Sequence, residues 1–514
     1  MRCPSTKALT DRASVLACSA LLGAAVGITP LSGAEGRVQW TTPGSYRLRT
    51  VNIGELPLDE QGTETGQRSY GTHRLRIDPT LDAGNFEFRI QMDVLTGQIF
   101  GDTQPVGAEY VERRSGDPEN NTSGWTTVEP RLLWLEWRLP WLEVRLGQMG
   151  FAWGMGVLYA DGHDEPEGDA RWVERFGDRW NGDLVQRAQV SVAPLSWLTY
   201  GPWGDVQLSF GADQVYQDEE ASWLDGDRGY HLFGALMYPG EEWTSGVYVT
   251  RRFQDDADGD RLDLWSVDVY ARWLAPLYPI NAELKIQGEL IYLDGSTDRF
   301  QPASRTGEVD IDGLGWVARA EIAWRCPRLA LGLEMGYASG DSDADDDEIR
   351  QARFDPDYRV GFILFQDALR LISLRSAERL ADLERVGVAA PGDEHLPTDG
   401  AVHNAFYIFP GVTWRPGAWT LTGATLLSWA AERLVDPVAT FDAGGTPRNH
   451  LGQASERFYG VEFDGAVSYA LSVPDVGTVS LGAQGGVLLP GAALEGAVAP
   501  DSLWKAMGRL DIRW

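Results

Sequence analysis

The chain has 514 residues, with 44 Lys+Arg against 75 Asp+Glu, a formal net charge of −31 and a pI near 4.5. That balance excludes a nucleic-acid binder, which needs a basic footprint. Hydrophobic residues are 43%, too many for a disordered acidic tail, while 59 Gly and 21 Trp are unusual for a soluble enzyme.

The N-terminus reads as an export signal. Arg2, Lys7 and Arg12 form a basic region, Ala13 to Ile28 an apolar one, and Ser32-Gly33-Ala34 has the small-x-small form of a signal-peptidase site. Cleavage is expected after Ala34, which removes residues 1–34 and leaves Glu35 first. The rival reading, a lipobox at Val15-Leu16-Ala17-Cys18, leaves almost no apolar stretch ahead of its cysteine. Cys3 and Cys18 leave with the signal, so only Cys326 remains and no intrachain disulfide is expected in the mature chain. Beyond the signal, no apolar run approaches the ~18 residues of a membrane-spanning helix.

From there on the chain alternates. Residues 85–94, 142–146, 282–287 and 509–514 switch between polar and apolar without a break. In a soluble sandwich the polar face meets water; in a membrane barrel the apolar face meets lipid and the polar face lines the lumen. Three features favour the barrel. Connections alternate between short Pro-rich turns (139–140, 238–240, 274–279, 326–327, 415–417, 473–475) and long acidic loops (101–123, 159–182, 217–228, 254–260, 296–306, 340–402, 435–455, 491–501). Tryptophans such as Trp137, Trp141, Trp273, Trp414 and Trp419 gather near strand ends, where the headgroup level suits them. The chain closes on Leu510, Ile512 and Trp514 at alternate positions, which resembles the C-terminal signal read by the outer-membrane assembly machinery.

The expectation is an all-β, transmembrane antiparallel barrel over residues 35–514. Strands are predicted near 44–56, 67–78, 85–99, 125–138, 141–157, 183–196, 205–216, 229–238, 242–253, 261–274, 280–294, 308–326, 328–339, 403–415, 419–433, 456–472, 476–489 and 502–514. That makes eighteen, or sixteen if the weak pair near 205–238 is misread. An even number puts both termini on the periplasmic side and the long loops outside.

Parity then names the pore-lining residues. Arg47, Arg49, Arg74, Arg76, Glu87, Arg89, Asp93, Glu136, Arg138, Glu143 and Arg145 point inward on the early strands, with Glu283, Lys285, Arg319 and Glu321 further on. Glu289, Glu334, Glu462, Asp464, Arg509 and Asp511 share that parity. Lipid-facing charges would cost about 2–4 kcal/mol each at the bilayer midplane, so these groups meet water or one another. The bland reading is a ladder of cross-strand ion pairs; the functional one is a pore wall whose arginines suit anionic solutes.

Two loop runs have carboxylates at alternate positions: Asp256, Asp258 and Asp260, and Asp341, Asp343 and Asp345. Such spacing converges on Ca²⁺ when the turn is right, but Asp346 stands where an EF-hand needs Gly and Ala352 where it needs Glu. Solvated loops, or divalent bridging to lipopolysaccharide, are the alternative; no other cofactor is expected. Loop 340–402 is too long for a mere connection. It carries an amphipathic helix over 362–386, with Phe365, Leu369 and Ile372 on the apolar face and Arg375 and Arg379 elsewhere. Folding into the barrel mouth as a constriction, or lying over the rim as a cap, would bury that face. Enzyme motifs are thin: the six His form no close ligand pair, and neither a GxSxG elbow nor a P-loop occurs. His163 beside Asp164 and His395 near Asp393 are the pairs a rim hydrolase would use, and no catalytic role is assigned to them.

The stretch Arg145-Leu146-Gly147-Gln148-Met149-Gly150-Phe151-Ala152-Trp153-Gly154-Met155-Gly156-Val157-Leu158 resembles a strand of Gram-negative outer-membrane barrels related to porins and alginate-export-like proteins. Asp355-Pro356-Asp357-Tyr358-Arg359-Val360-Gly361 adds to the likeness. The resemblance implies an eighteen-stranded barrel with an Arg-lined conduit. The mixed-sign lumen departs from it, so the architecture carries over and the polymer does not. The expected function is an outer-membrane channel for small hydrophilic solutes, anionic ones among them. The alternatives are an export conduit for an anionic polysaccharide and a non-conducting surface barrel.

Overall fold

The structure is a computed structural model that describes residues 38–103, 128–163, 171–179, 182–196, 202–257, 259–299, 307–326, 328–341, 346–381, 398–474 and 477–514. The expected signal and its cleavage site lie outside these residues.

All strands join one sheet of 21, of which three are short segments at 39–41, 80–82 and 348–349. The other eighteen form the wall of a closed antiparallel barrel. They are β1 (Gly44–Ile53), β2 (Ser69–Ile77), β3 (Phe86–Gly101), β4 (Glu129–Leu139), β5 (Leu142–Gly150), β6 (Leu184–Val192), β7 (Gln207–Gln217), β8 (Arg228–Pro239) and β9 (Trp243–Asp255). The second half holds β10 (Arg261–Leu277), β11 (Ala282–Thr297), β12 (Val309–Trp324), β13 (Leu329–Ala338), β14 (Ala405–Trp414), β15 (Trp419–Ala430), β16 (Phe458–Val473), β17 (Gly477–Pro490) and β18 (Leu503–Arg513). Each predicted strand has its counterpart, including the pair near 205–238.

Neighbours in sequence are neighbours in the sheet, and the ring closes where β1 pairs with β18 from Ser45↔Arg513 to Ile53↔Lys505. Closure leaves the wall no free edge, the condition for a sheet in hydrocarbon. Short turns stand at one end. Between β10 and β11 the turn is a 3₁₀ step, Tyr278–Ile280, capped by Asn281 in the left-handed region at φ 49°. Asn tolerates that conformation better than other residues with a side chain.

The outer surface is apolar all the way round. Leu232, Val247, Val269, Leu290, Leu333, Leu421, Phe463 and Leu481 are exposed there. A continuous exposed band of this kind needs lipid to cover it. Trp137, Trp141, Trp243, Trp273, Trp414, Trp419 and Trp514 ring the turn end, and Trp265 and Trp504 stand toward the loop end. These are the two levels at which amphipathic rings sit in a bilayer.

Candidate functional site

The inner face is charged and paired. Arg47, Arg49, Arg74, Arg76 and Asp93 are at most 7% exposed. Arg76 forks onto Asp93 with two bonds of 2.7 and 2.8 Å, the geometry a guanidinium favours with a carboxylate. Arg187 does the same with Asp213, at 2.7 and 2.6 Å, while its plane lies over the Phe151 and Phe233 rings. On β11 and β12, Lys285, Arg319 and Glu321 are buried, and Glu321 accepts from Arg319 at 2.8 Å and pairs with Lys285 at 2.9 Å. Nearer the turn end the arginines are more exposed, while Glu136 stays buried. There Glu136 sits between Arg138 and Arg145, Glu143 pairs with Arg145, Glu87 with Arg138, and Arg89 with Asp78. Glu283 pairs with Arg171 and Arg325. Inward-parity charges are thus tied to one another along the wall, and also to chain that enters the barrel.

Two segments enter, and the first corrects the sequence reading. The stretch after β5 was expected to continue the strand to 157 and then form an outer loop. Instead the strand ends at Gly150 and the chain turns inward. Gly154 makes the turn at φ 58°, and a Cβ there would collide with Glu289 of the wall. Phe151, Trp153 and Tyr159 then pack on Phe233 and Tyr248. Trp172 is buried with the Lys285 ammonium 4.3 Å from its ring centre. The segment hands its polar groups to wall residues in turn: Val157 N–H to Glu289 at 3.0 Å, Val173 N–H to Glu321 at 3.0 Å, Arg175 to Glu334 at 2.7 Å, and Gly177 N–H to Gln484 at 2.8 Å. It ends on Asp178, which pairs with Arg49 at 2.5 Å, Arg509 at 3.4 Å and Arg47 at 3.6 Å. Burial alone would push the Asp178 carboxyl up, but the three guanidinium groups outweigh it and hold it well below the usual carboxylate range.

The second segment is the long loop before β14. Phe354, Tyr358, Phe362, Ile363 and Phe365 fill the loop end of the barrel against Ile291, Val317, Tyr407, Leu426 and Leu488. Helical structure starts as a π-turn over Leu364–Leu369 and continues as α1 (Arg370–Ala381). The expectation of one apolar face and one wet face is not met. Phe365, Leu369 and Ile372 are buried, as predicted for the apolar side, but Arg370 and Arg379 are buried too. Arg375 donates to Asp59 at 2.8 Å and Glu378 at 2.5 Å, and Arg379 to Glu60 at 2.8 Å. The charged side of α1 therefore docks on the β1–β2 loop, and also on Asp436 at the start of α2 (Pro437–Asp442).

Where the segments meet, carboxylates converge. Asp183, Glu219 and Asp355 bring oxygens within 4.8 Å of one another, and among the described residues no other acidic group of three is so close. Burial, then Glu219 and the neighbouring aspartates, raise the Asp183 and Asp355 carboxyls well above the ordinary value. Of the residues expected to hold Ca²⁺, Asp258, Asp343 and Asp345 lie outside the described residues. Asp256 is bound to Arg299 at 2.7 Å, Asp260 closes its own turn through a backbone bond to Asp256, and Asp341 accepts from the Arg350 N–H at 3.0 Å. A cavity of about 520 Å³ lies between Trp265, Asp263, Asp294 and Asp312, which share outward parity, so it is not the passage. His163 contacts Asp161 and Gln91; Asp164 and the His395–Asp393 pair lie outside the described residues.

Sequence reasoning missed Asp178, Arg175, Tyr358 and Asp355 as parts of the interior. A signal was present: both segments are rich in Phe, Trp and Tyr, which an acidic outer loop would leave exposed.

No protein-family profile and no curated protein matches this sequence. Solved structures do match in fold. OccAB1 of Acinetobacter baumannii is 12% identical with a TM-score of 0.51, over 94% of this chain and 98% of that one. A BenF-like porin from Pseudomonas fluorescens Pf-5 is 10% identical with a TM-score of 0.50, over 93% and 98%.

Proposed function

We propose that the protein is an outer-membrane channel that passes small hydrophilic solutes, anionic ones among them, through a charged lumen, and that it performs no catalysis itself. The observation that carries this reading is the inner face: an eighteen-strand barrel wide enough for an aqueous lumen, walled by arginines and carboxylates and narrowed by two inserted segments. The segment from 351 to 381 acts as the constriction rather than a cap. A wall of fixed ion pairs selects by field and by size, because a solute must exchange water for contacts with guanidinium and carboxylate groups. The inserted segments speak against a conduit for a polymer, which needs an uninterrupted bore. The partners this role implies are the lipid bilayer, lipopolysaccharide at the outer rim, and assembly machinery reading the last strand.

The test is a planar-bilayer recording of the refolded chain under a salt gradient. Stable conductance steps with an anion-selective reversal potential are expected, and deletion of 366–385 should enlarge the steps. Silence from a folded, heat-modifiable barrel, before and after that deletion, would replace the channel with a surface role.

A further inference from the structure

Both inserted segments are held by the same device. Glu289 on β11 accepts the backbone N–H groups of Met155 and Val157. Glu462 on β16 accepts those of Phe362, Ile363 and Leu364, the last two at 2.8 and 2.7 Å. Each of these glutamates has a second carboxyl beside it. Asp268 on β10, which pairs with Ile291, lies diagonally across from Glu289 on the same inner face, and Asp464, two residues along β16, shares that face with Glu462. Asp268 is fully buried and Asp464 is 6% exposed, and no side chain other than its neighbouring glutamate bonds the Asp464 carboxyl oxygens.

Two carboxylates in contact in a buried site cannot both ionise; one proton is shared between them. The glutamate then keeps the charge that backbone amides favour, and the aspartic acid donates to it. The groups around each pair leave this balance in place. Tyr248 and Tyr270 stand opposite the first pair, Trp153 faces it from the segment, and Arg272 nearby donates to Thr244 instead. Lys505 of β18 faces the second pair but is bound to Asp367 at 2.7 Å.

We propose that the two acid pairs are proton-locked latches. With one proton each, they clamp residues 155–157 and 362–364 to the wall. Loss of that proton sets two negative charges against each other, and the segment is released. The effect on transport rests on the channel reading; the latch itself does not.

Amide hydrogen exchange at 155–157 and 362–364, measured on the folded full chain from pH 6 to pH 10 and corrected for intrinsic rates, tests it. Protection is expected to fall by about tenfold or more across that range, as local opening becomes easier. The variant Asp268→Asn with Asp464→Asn should stay protected throughout, because an amide donates to the glutamate at every pH. If the double variant does not fold, Asp268→Asn alone is read at 155–157. Constant protection in the wild type, or the same loss in the variant, overturns the latch. Lost protection in a barrel that never conducts keeps the latch and removes the channel.

Discussion

Asp178 shows what one residue can hold. It reaches Arg49 and Arg47 on the first strand and Arg509 on the last, with almost no exposure. Removing one partner of a buried ion pair leaves charge uncompensated, at a cost of about 3–5 kcal/mol. Asp178→Ala is therefore expected to lower barrel stability by that order, read as a drop in the heat-modification midpoint on gels. The pH dependence has a definite sign. A carboxyl held below its unfolded value stabilises fully above about pH 4 and loses that contribution as pH falls toward the depressed value. Asp161 is drawn the same way, to about 2, where hydrogen bonds from His163 outweigh burial. The Asp178 anchor and the Asp161 turn of the first segment should therefore survive mild acid, and tryptophan fluorescence should stay flat down to about pH 4. The arginines of β1 were legible because alternation fixes which way a strand residue points. Asp178 was not, because alternation says nothing of where a connection goes.

At the scale of elements, all eighteen wall strands could be read from period 2 and the turns, while the inserted segments could not. β5 was overrun because Gly150-Phe151-Ala152-Trp153 still looks like alternation; the inward turn at Gly154 ends it. Helix α1 was legible in type, yet its burial on nearly every side was not, since the partners of Arg375 and Arg379 come from loops distant in sequence. The long segment turns on Gly361, at φ 72°, where a Cβ would press on Glu462 and Leu426. Gly361→Ala is expected to cost about 1–2 kcal/mol for the left-handed backbone alone, before the displaced Glu462 is counted. Faster trypsin cleavage after Arg359 and Arg370, with the barrel otherwise intact, would register it; unchanged cleavage would mean the turn is not what holds this segment in place.

For the whole molecule, inside and outside obey opposite rules. The buried layer is polar and the exposed layer apolar, so a substitution must be judged against lipid. Leu290, half-way along β11 and exposed, faces outward. Leu290→Arg should lower folding stability by about 2–4 kcal/mol in lipid vesicles, as measured by urea titration, and far less in detergent, where the head can reach water. The meeting of β1 and β18 has a further consequence, in time. The strands that seal the ring are the first and last in the sequence, so no hoop exists until the chain is complete. Contacts that distant form slowly. Asp178, from the middle of the sequence, ties both of these strands together. The first segment must therefore be in place as the two ends meet, and a stalled intermediate would be an open, curled sheet with its clasp still undone.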